Sequence, residues 1–252
     1  MRIFLGITGA SGAPYAARLV QALVDADVEL GICISRAGYE VLATELYRDV
    51  SLPQDEIAQR LTGGVEGVTT YGERDWNAPY ASGSAKVDAY VICPCSMGTL
   101  GTIASGAMDN LIHRAASVAL KEERKLVVMP RETPLSTIHL RNMLTLREAG
   151  ATILFLAPGF YHGAETVEQL VDFVVARALD LLGLEHAPSD RLRPERLEGA
   201  VRVGLGEGRC LPDLPLFDGN RGDDRVRRDD EPHPPRRVGC AQGGTQARPD
   251  AA

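Results

Sequence analysis

Three glycines spaced three apart, Gly6, Gly9 and Gly12, stand in GITGASGAPYAARL at positions 6–19, between an apolar run and an amphipathic one. A glycine turn that opens a helix bends tightly and aims backbone amides at an anion, here with the hydroxyl of Ser11 beside them and Ala10 between the glycines. The structural alternative is a plain strand-to-helix turn with Ser11 as N-cap. A dinucleotide unit requires G-x-G-x-x-G and an acid about twenty residues on. This chain has neither that spacing nor that acid; Ser35 and Arg36 stand there instead. An arginine at that place can accept the extra phosphate of NADP, so a dinucleotide stays open. The spacing points to a mononucleotide, and FMN is the natural candidate.

Further polar groups follow four other apolar runs. Ser96, Met97, Gly98 and Thr99 offer hydroxyls and amides to a flavin ring or a phosphate. Arg114 and Lys121, seven apart, share one helix face and can clamp a second anion; otherwise they form a solvated face paired with Asp109, Glu122 or Glu123. Arg131 and Glu132 lie between Pro130 and Pro134, where the arginine can neutralise a phosphate and the carboxylate can move a proton, or the two can form a salt bridge. Glu45 reads either as a helix-surface acid or as a base facing the flavin. Tyr161 offers a phenol to an anion and a ring to an apolar substrate. Arg177 lies between Ala176 and Ala178, with Asp180 as its simplest partner. The CPC at 93–95 matches neither redox nor zinc spacing and reads as buried, small and apolar.

These residues need a frame. The runs RIFLGIT, VELGICI, AYVICP, KLVVMP and TILFLAP are short and β-rich, and amphipathic stretches separate them. The pattern predicts helices over 13–24, over 136–149 closed by Gly150, and from a capping box at Thr166 and Gln169 to a stop at Gly183. Apolar strands alternating with helices imply an α/β fold, a parallel sheet covered on both faces by helices in three layers. The region 52–86 is turn-rich, with GVTTYG its one strand-like piece.

Composition sets the outer limits. The chain has 252 residues, 44% of them hydrophobic, enough for one domain over 1–187. Residues 188–252 hold eight of the fifteen prolines, twelve arginines against twelve acids and one aromatic, Phe217, a composition expected to stay disordered. The doubled aspartates of GDDRVRRDDE, at 222–231, read as a solvated charge run. A net charge of -7 supplies no general field for nucleic acid or an anionic membrane. No apolar run is long enough to span a bilayer and no leader is visible, so a cytoplasmic protein is expected. Five cysteines are too few and too odd in number for a disulfide scaffold.

TGASGAPYAARL, DWNAPYASGS, VICPCSMGTL, NLIHRAASVALKEERKLVVMPRETPLSTIHLRNML and APGFYH followed by LVDFVVAR together resemble the flavin prenyltransferases, the UbiX family. The resemblance implies a Rossmann-like flavoprotein that joins the prenyl group of dimethylallyl phosphate to N5 and then C6 of reduced FMN, without a metal. Its product, prenylated FMN, serves UbiD-type decarboxylases, including the one of ubiquinone synthesis. By the same resemblance Gly9, Ala10, Ser11, Gly12, Ser35, Ser96, Met97, Gly98, Thr99 and Arg131 contact FMN. Ser82, Arg114, Lys121, Tyr161 and Arg177 contact dimethylallyl phosphate, with Ser82 reaching it from a neighbouring subunit of a homo-oligomer, a dodecamer. Ser11, Glu45, Glu132 and Lys121 carry catalysis, and Trp76 stands near the pocket. Two alternatives share the fold: an FMN-dependent cysteine decarboxylase, which needs an early histidine where this chain has none before His113, and a non-catalytic flavin-binding subunit.

Overall fold

The structure is a computed structural model, and it describes residues 1–161 and 163–186. The low-complexity segment 188–252, with Cys210, Cys240 and the doubled aspartates, lies outside the described residues.

Among the described residues six parallel strands form one sheet in the order β3-β2-β1-β4-β5-β6. They are β1 (Arg2–Ile7), β2 (Glu29–Ile34), β3 (Val68–Tyr71), β4 (Ala89–Cys95), β5 (Lys125–Pro130) and β6 (Thr152–Ile153). Among the described residues seven α-helices accompany them, six between strands and the last after β6: α1 (Ala13–Asp25), α2 (Arg36–Leu42), α3 (Gln54–Thr62), α4 (Met97–Ala104), α5 (Leu111–Lys121), α6 (Thr137–Glu148) and α7 (Val167–Leu182). A π-helical turn, Ala43–Tyr47, extends α2, and a 3₁₀ turn, Pro79–Ala81, packs on α5.

Strand side chains alternate between two apolar cores, which is why the strands read as continuous hydrophobic runs. Ile3, Leu5, Ile7, Val91 and Val127 face α1, α3 and α7. Phe4, Tyr90, Ile92, Leu126 and Val128 face α4, α5 and α6 on the other side. Helices therefore cover both faces in three layers, as expected. Within the first core Arg18 of α1 is paired with Asp172 of α7 at 2.5 Å, both side chains largely buried. Burial pushes the Asp172 carboxyl up from its ordinary range, and Arg18 opposes that rise.

The expected helix boundaries hold. Ser136 caps α6, and Thr166 with Gln169 forms the capping box of α7, which ends on Gly183 in the left-handed region. Three features differ from the pattern. α3 lies in the turn-rich region, and its apolar stripe is only Ile57, Ala58 and Leu61, too narrow to stand out among charges. The strand-like GVTTYG supplies β3 at the sheet edge, whereas TILFLAP pairs as a strand only at Thr152 and Ile153. Leu154 and Leu156 prolong that contact through single amide bonds to Val128 and Pro130. Finally, α2 begins at Arg36 directly after β2, a helix outside those the pattern predicts.

Candidate functional site

β1 leads to β2 on one side while β4 lies on the other, so a crevice opens beyond the carboxyl ends of β1 and β4. Thr8, directly after β1, ties its two walls. Its hydroxyl donates to the Pro94 carbonyl at 2.8 Å and accepts from the Ser96 amide at 2.8 Å. Sequence reasoning passed over Thr8. Its signal was position: a buried hydroxyl residue at the tip of the strand beside the switch point.

The loop from Gly9 to Gly12 forms the floor. Gly9 is needed because α2 crosses it closely; a Cβ there would lie 2.4 Å from Ala37 Cβ. Gly12, at φ 133°, is the N-cap of α1, and no side chain caps it locally. The cap comes from elsewhere. Glu45, on the π-helical turn, accepts from the Gly12 and Ala13 amides, each at 2.9 Å. A carboxylate at that helix N-terminus satisfies two orphan donors and complements the helix dipole. Ser11 is therefore not the N-cap, and the α1 terminus expected to bind an anion is already held by the chain's own acid. Pro14 fits the first turn, where its missing amide costs nothing.

Donors for an anion remain on the neighbouring helices. Ser35 caps α2, accepting from Gly38 at 3.0 Å. Ser96 caps α4, accepting from the Thr99 amide at 3.2 Å, and its hydroxyl lies 3.1 Å from that of Thr99. The Met97 and Gly98 amides precede the first intrahelical bond, from Leu100 to Ser96. A Cβ on Gly98 would meet only Ser96 Oγ, at 4.0 Å, so this wall stands open to a flat guest. Across the crevice Arg131 Nε donates to the Ser11 carbonyl at 3.0 Å, tying the loop after β5 to the glycine loop. Glu132 makes no salt bridge with it and accepts from the Thr133 amide at 3.1 Å. Gly9, Ala10, Ser11, Gly12, Ser35, Ser96, Met97, Gly98, Thr99, Arg131 and Glu45 thus come together around one crevice.

The second set of expected residues does not join them within one chain. α5 descends from the crevice and ends four residues before β5 begins, so Lys121 stands at the opposite end of the sheet. Arg114 lies seven residues earlier, about 10 Å along the axis, and donates through Nε to the Ala81 carbonyl at 2.9 Å. Lys121 pairs with Glu122 and sits against the loop that carries Ser82. Arg177 lies in the other helical layer, on α7, exposed and 2.7 Å from Asp180. Tyr161 is 87% exposed, with its ring edge-on to Phe173 at 5.7 Å. Trp76 is about half exposed.

Cys33, Cys93 and Cys95 are buried, as expected of the CPC pair. Desolvation pushes the Cys33 thiol up to about 12 and raises Cys93 and Cys95 as well, which leaves them unreactive. The far end of the sheet carries a cavity of about 600 Å³ lined by Met1, Arg2, Asp27, Glu29, Lys86 and Asp88. Among the described residues no helix N-terminus converges there.

Strand order and donor placement define a Rossmann-like nucleotide-binding protein whose crevice lacks the dinucleotide glycine pattern. A flavoprotein family model matches residues 1–179. The chain is 53% identical over 197 residues to the flavin prenyltransferase UbiX of Pseudomonas aeruginosa, covering 76% of this chain and 92% of that protein. It is 42% identical to the UbiX of Methanocaldococcus jannaschii, covering 74% and 96%. Among solved structures it resembles AnUbiX in complex with FMN and dimethylallyl pyrophosphate, at 39% identity, with 73% of this chain and 93% of that one covered and a TM-score of 0.66. A dodecameric FMN-dependent UbiX-like decarboxylase from Escherichia coli matches at 40% identity, with 74% and 97% covered and a TM-score of 0.66. The chain belongs to the UbiX family of flavin prenyltransferases.

Proposed function

We propose that this protein transfers the dimethylallyl group of dimethylallyl phosphate to N5 and then C6 of reduced FMN, and that the prenylated FMN is passed to a UbiD-type decarboxylase. The observation that carries this reading is the presence of two separate basic places, Arg131 at the crevice and Arg114 with Lys121 on α5. A flavin store or redox flavoprotein needs only the first.

The crevice residues fit FMN. Ser35, Ser96, Thr99 and the α4 amides receive phosphate or ring heteroatoms, Arg131 supplies positive charge, and the open wall at Gly98 leaves room for a flat ring. Bound there, reduced FMN supplies electron-rich N5 and C6 as nucleophiles. Lys121, Arg114, Arg177 and Tyr161 then hold the phosphate that leaves with the C–O electron pair. Fixed cations can serve this role without a metal. Glu45, held by two amides beside Ser11, is a positioned proton acceptor, and Glu132 at the mouth of β5 is a second group able to deliver or take a proton.

Because Lys121 and Arg177 lie in different layers and away from the glycine loop, each complete site draws on more than one copy. The dodecameric relative supports such an assembly. No described helix is long and apolar enough to cross a membrane. The buried free thiols suit the reducing, cytoplasmic setting expected from the sequence.

The test is anaerobic incubation with reduced FMN and either dimethylallyl phosphate or dimethylallyl diphosphate, followed by mass spectrometry of the flavin. Flavin heavier by one prenyl unit is expected, with faster formation from the monophosphate. Recovery of unmodified FMN from both would overturn the reading.

A further inference from the structure

α5 ends in a Schellman motif without glycine. Glu123 adopts the left-handed region at φ 54°, its amide returns to Leu120 at 3.1 Å, and the Arg124 amide returns to Ala119 at 2.8 Å. The last residue of the motif, Arg124, then turns its side chain onto a different part of the chain. Its guanidinium donates to the Gly83 carbonyl at 2.7 Å and to the Ala85 carbonyl at 2.7 Å, with Tyr90 Oη at 3.3 Å behind it. The planar fork thus holds two carbonyls of one loop in a fixed geometry, one on each terminal nitrogen. The loop it grips is the one that carries Ser82, whose hydroxyl lies 2.8 Å from that of Ser84. Gly83 presses directly on the donor-binding end of α5; a Cβ there would lie 2.1 Å from Glu122 Oε1 and 2.9 Å from Lys121 Nζ.

We infer that Arg124 is a positioning residue for prenyl transfer: by clamping the Gly83 and Ala85 carbonyls it makes the Ser82 loop and the Lys121 end of α5 one rigid plate, presented to the flavin crevice of a neighbouring copy. Lys121 is long, flexible and half exposed, and it carries rotamer entropy that must be lost when it grips a phosphate. A backbone wall at Gly83 limits the volume it can sweep, and Arg124 holds that wall in place. The inference rests on the reading of Lys121 and Ser82 as donor contacts. Arg124 itself touches neither substrate.

Arg124→Ala, Arg124→Lys and Gly83→Ala, each as full-length assembled protein, are compared with wild type and with Tyr90→Phe, which removes only the 3.3 Å contact. Steady-state prenylation should show KM for dimethylallyl phosphate raised about tenfold or more, the effect of one lost charge-assisted hydrogen bond. kcat should fall less, and FMN affinity should hold within about twofold by the same scale. Calorimetric titration of dimethylallyl phosphate into FMN-loaded protein should show the same weakening, and methylguanidinium should restore Arg124→Ala but not Gly83→Ala. Hydrogen exchange over 82–86 should quicken in the Arg124 variants and not in Tyr90→Phe. Unchanged KM and donor affinity in an active enzyme, or an equal loss of FMN and donor binding, overturns the positioning role. Absence of prenylation by wild type instead overturns the function on which it rests.

Discussion

Glu45 and Gly12, thirty-three positions apart, are joined by a 2.9 Å hydrogen bond in which the glycine amide donates to the carboxylate, and Ala13 donates to the same oxygen. The π-helical turn brings this acid to the mouth of α1, because an i+5 turn widens the helix and shifts every later side chain around its axis. One carboxylate therefore caps the helix and stands beside Ser11 in the crevice.

Glu45→Ala leaves both amides without their acceptor and should cost about 1 kcal/mol, the ordinary value of a lost helix cap. Glu45→Gln keeps an acceptor without the charge and should cost less. Urea unfolding of both variants checks this; equal midpoints for wild type and Glu45→Ala would show that the cap contributes nothing.

At Gly9 the expected loss is both structural and functional. A methyl 2.4 Å from Ala37 Cβ must push α2 away from the glycine loop, at a cost of about 1–3 kcal/mol for overpacking. The Ser35 cap moves with α2. FMN titration followed by flavin fluorescence should show weaker binding by Gly9→Ala, while Gly64→Ala at an open turn leaves FMN affinity as in wild type.

His113 sets a pH dependence of stability. It is buried on α5, and desolvation lowers its pKa below the ordinary value of about 6.5, with Asp109 and Glu73 opposing the shift. Between the folded and unfolded values the unfolded chain binds the extra proton, so stability rises with pH there and is lost as pH falls from about 6.5 through the lower folded value. Melting temperatures at pH 7.5 and 5.5 should drop more for wild type than for His113→Gln. An identical drop in both would assign the acid sensitivity to other groups.

Lys121→Ala and Arg177→Ala should each abolish prenylation and spare FMN binding. Co-expressed in equal amounts, the two variants should recover activity at about one quarter of the sites by random assortment, as follows from the proposal that each site takes its lysine and its arginine from different copies. Mixed oligomers as inactive as the parents would place both residues on one copy's site.

The alternation of apolar strands and amphipathic helices was enough to define the α/β class, since strands apolar on both faces require cover on each side of a parallel sheet. Local signals were equally direct: Thr166 with Gln169 and the stop at Gly183 depend only on neighbouring residues, and so did the buried character of Cys93 and Cys95. α3 was hidden because its stability comes from three apolar contacts to the core rather than from a strong pattern of its own.

Residue types named the groups fit for chemistry, but long-range contacts decided their tasks. Thr8 as the tie between two loops, Glu45 as the cap of α1 and Arg124 as the clamp on Gly83 each depend on a partner 33 or more residues away, and no local spacing encodes such a meeting. The tertiary structure also divided one expected pocket into two surfaces. A helix between β4 and β5 must run back along the sheet, which carries Lys121 to the end opposite the glycine loop.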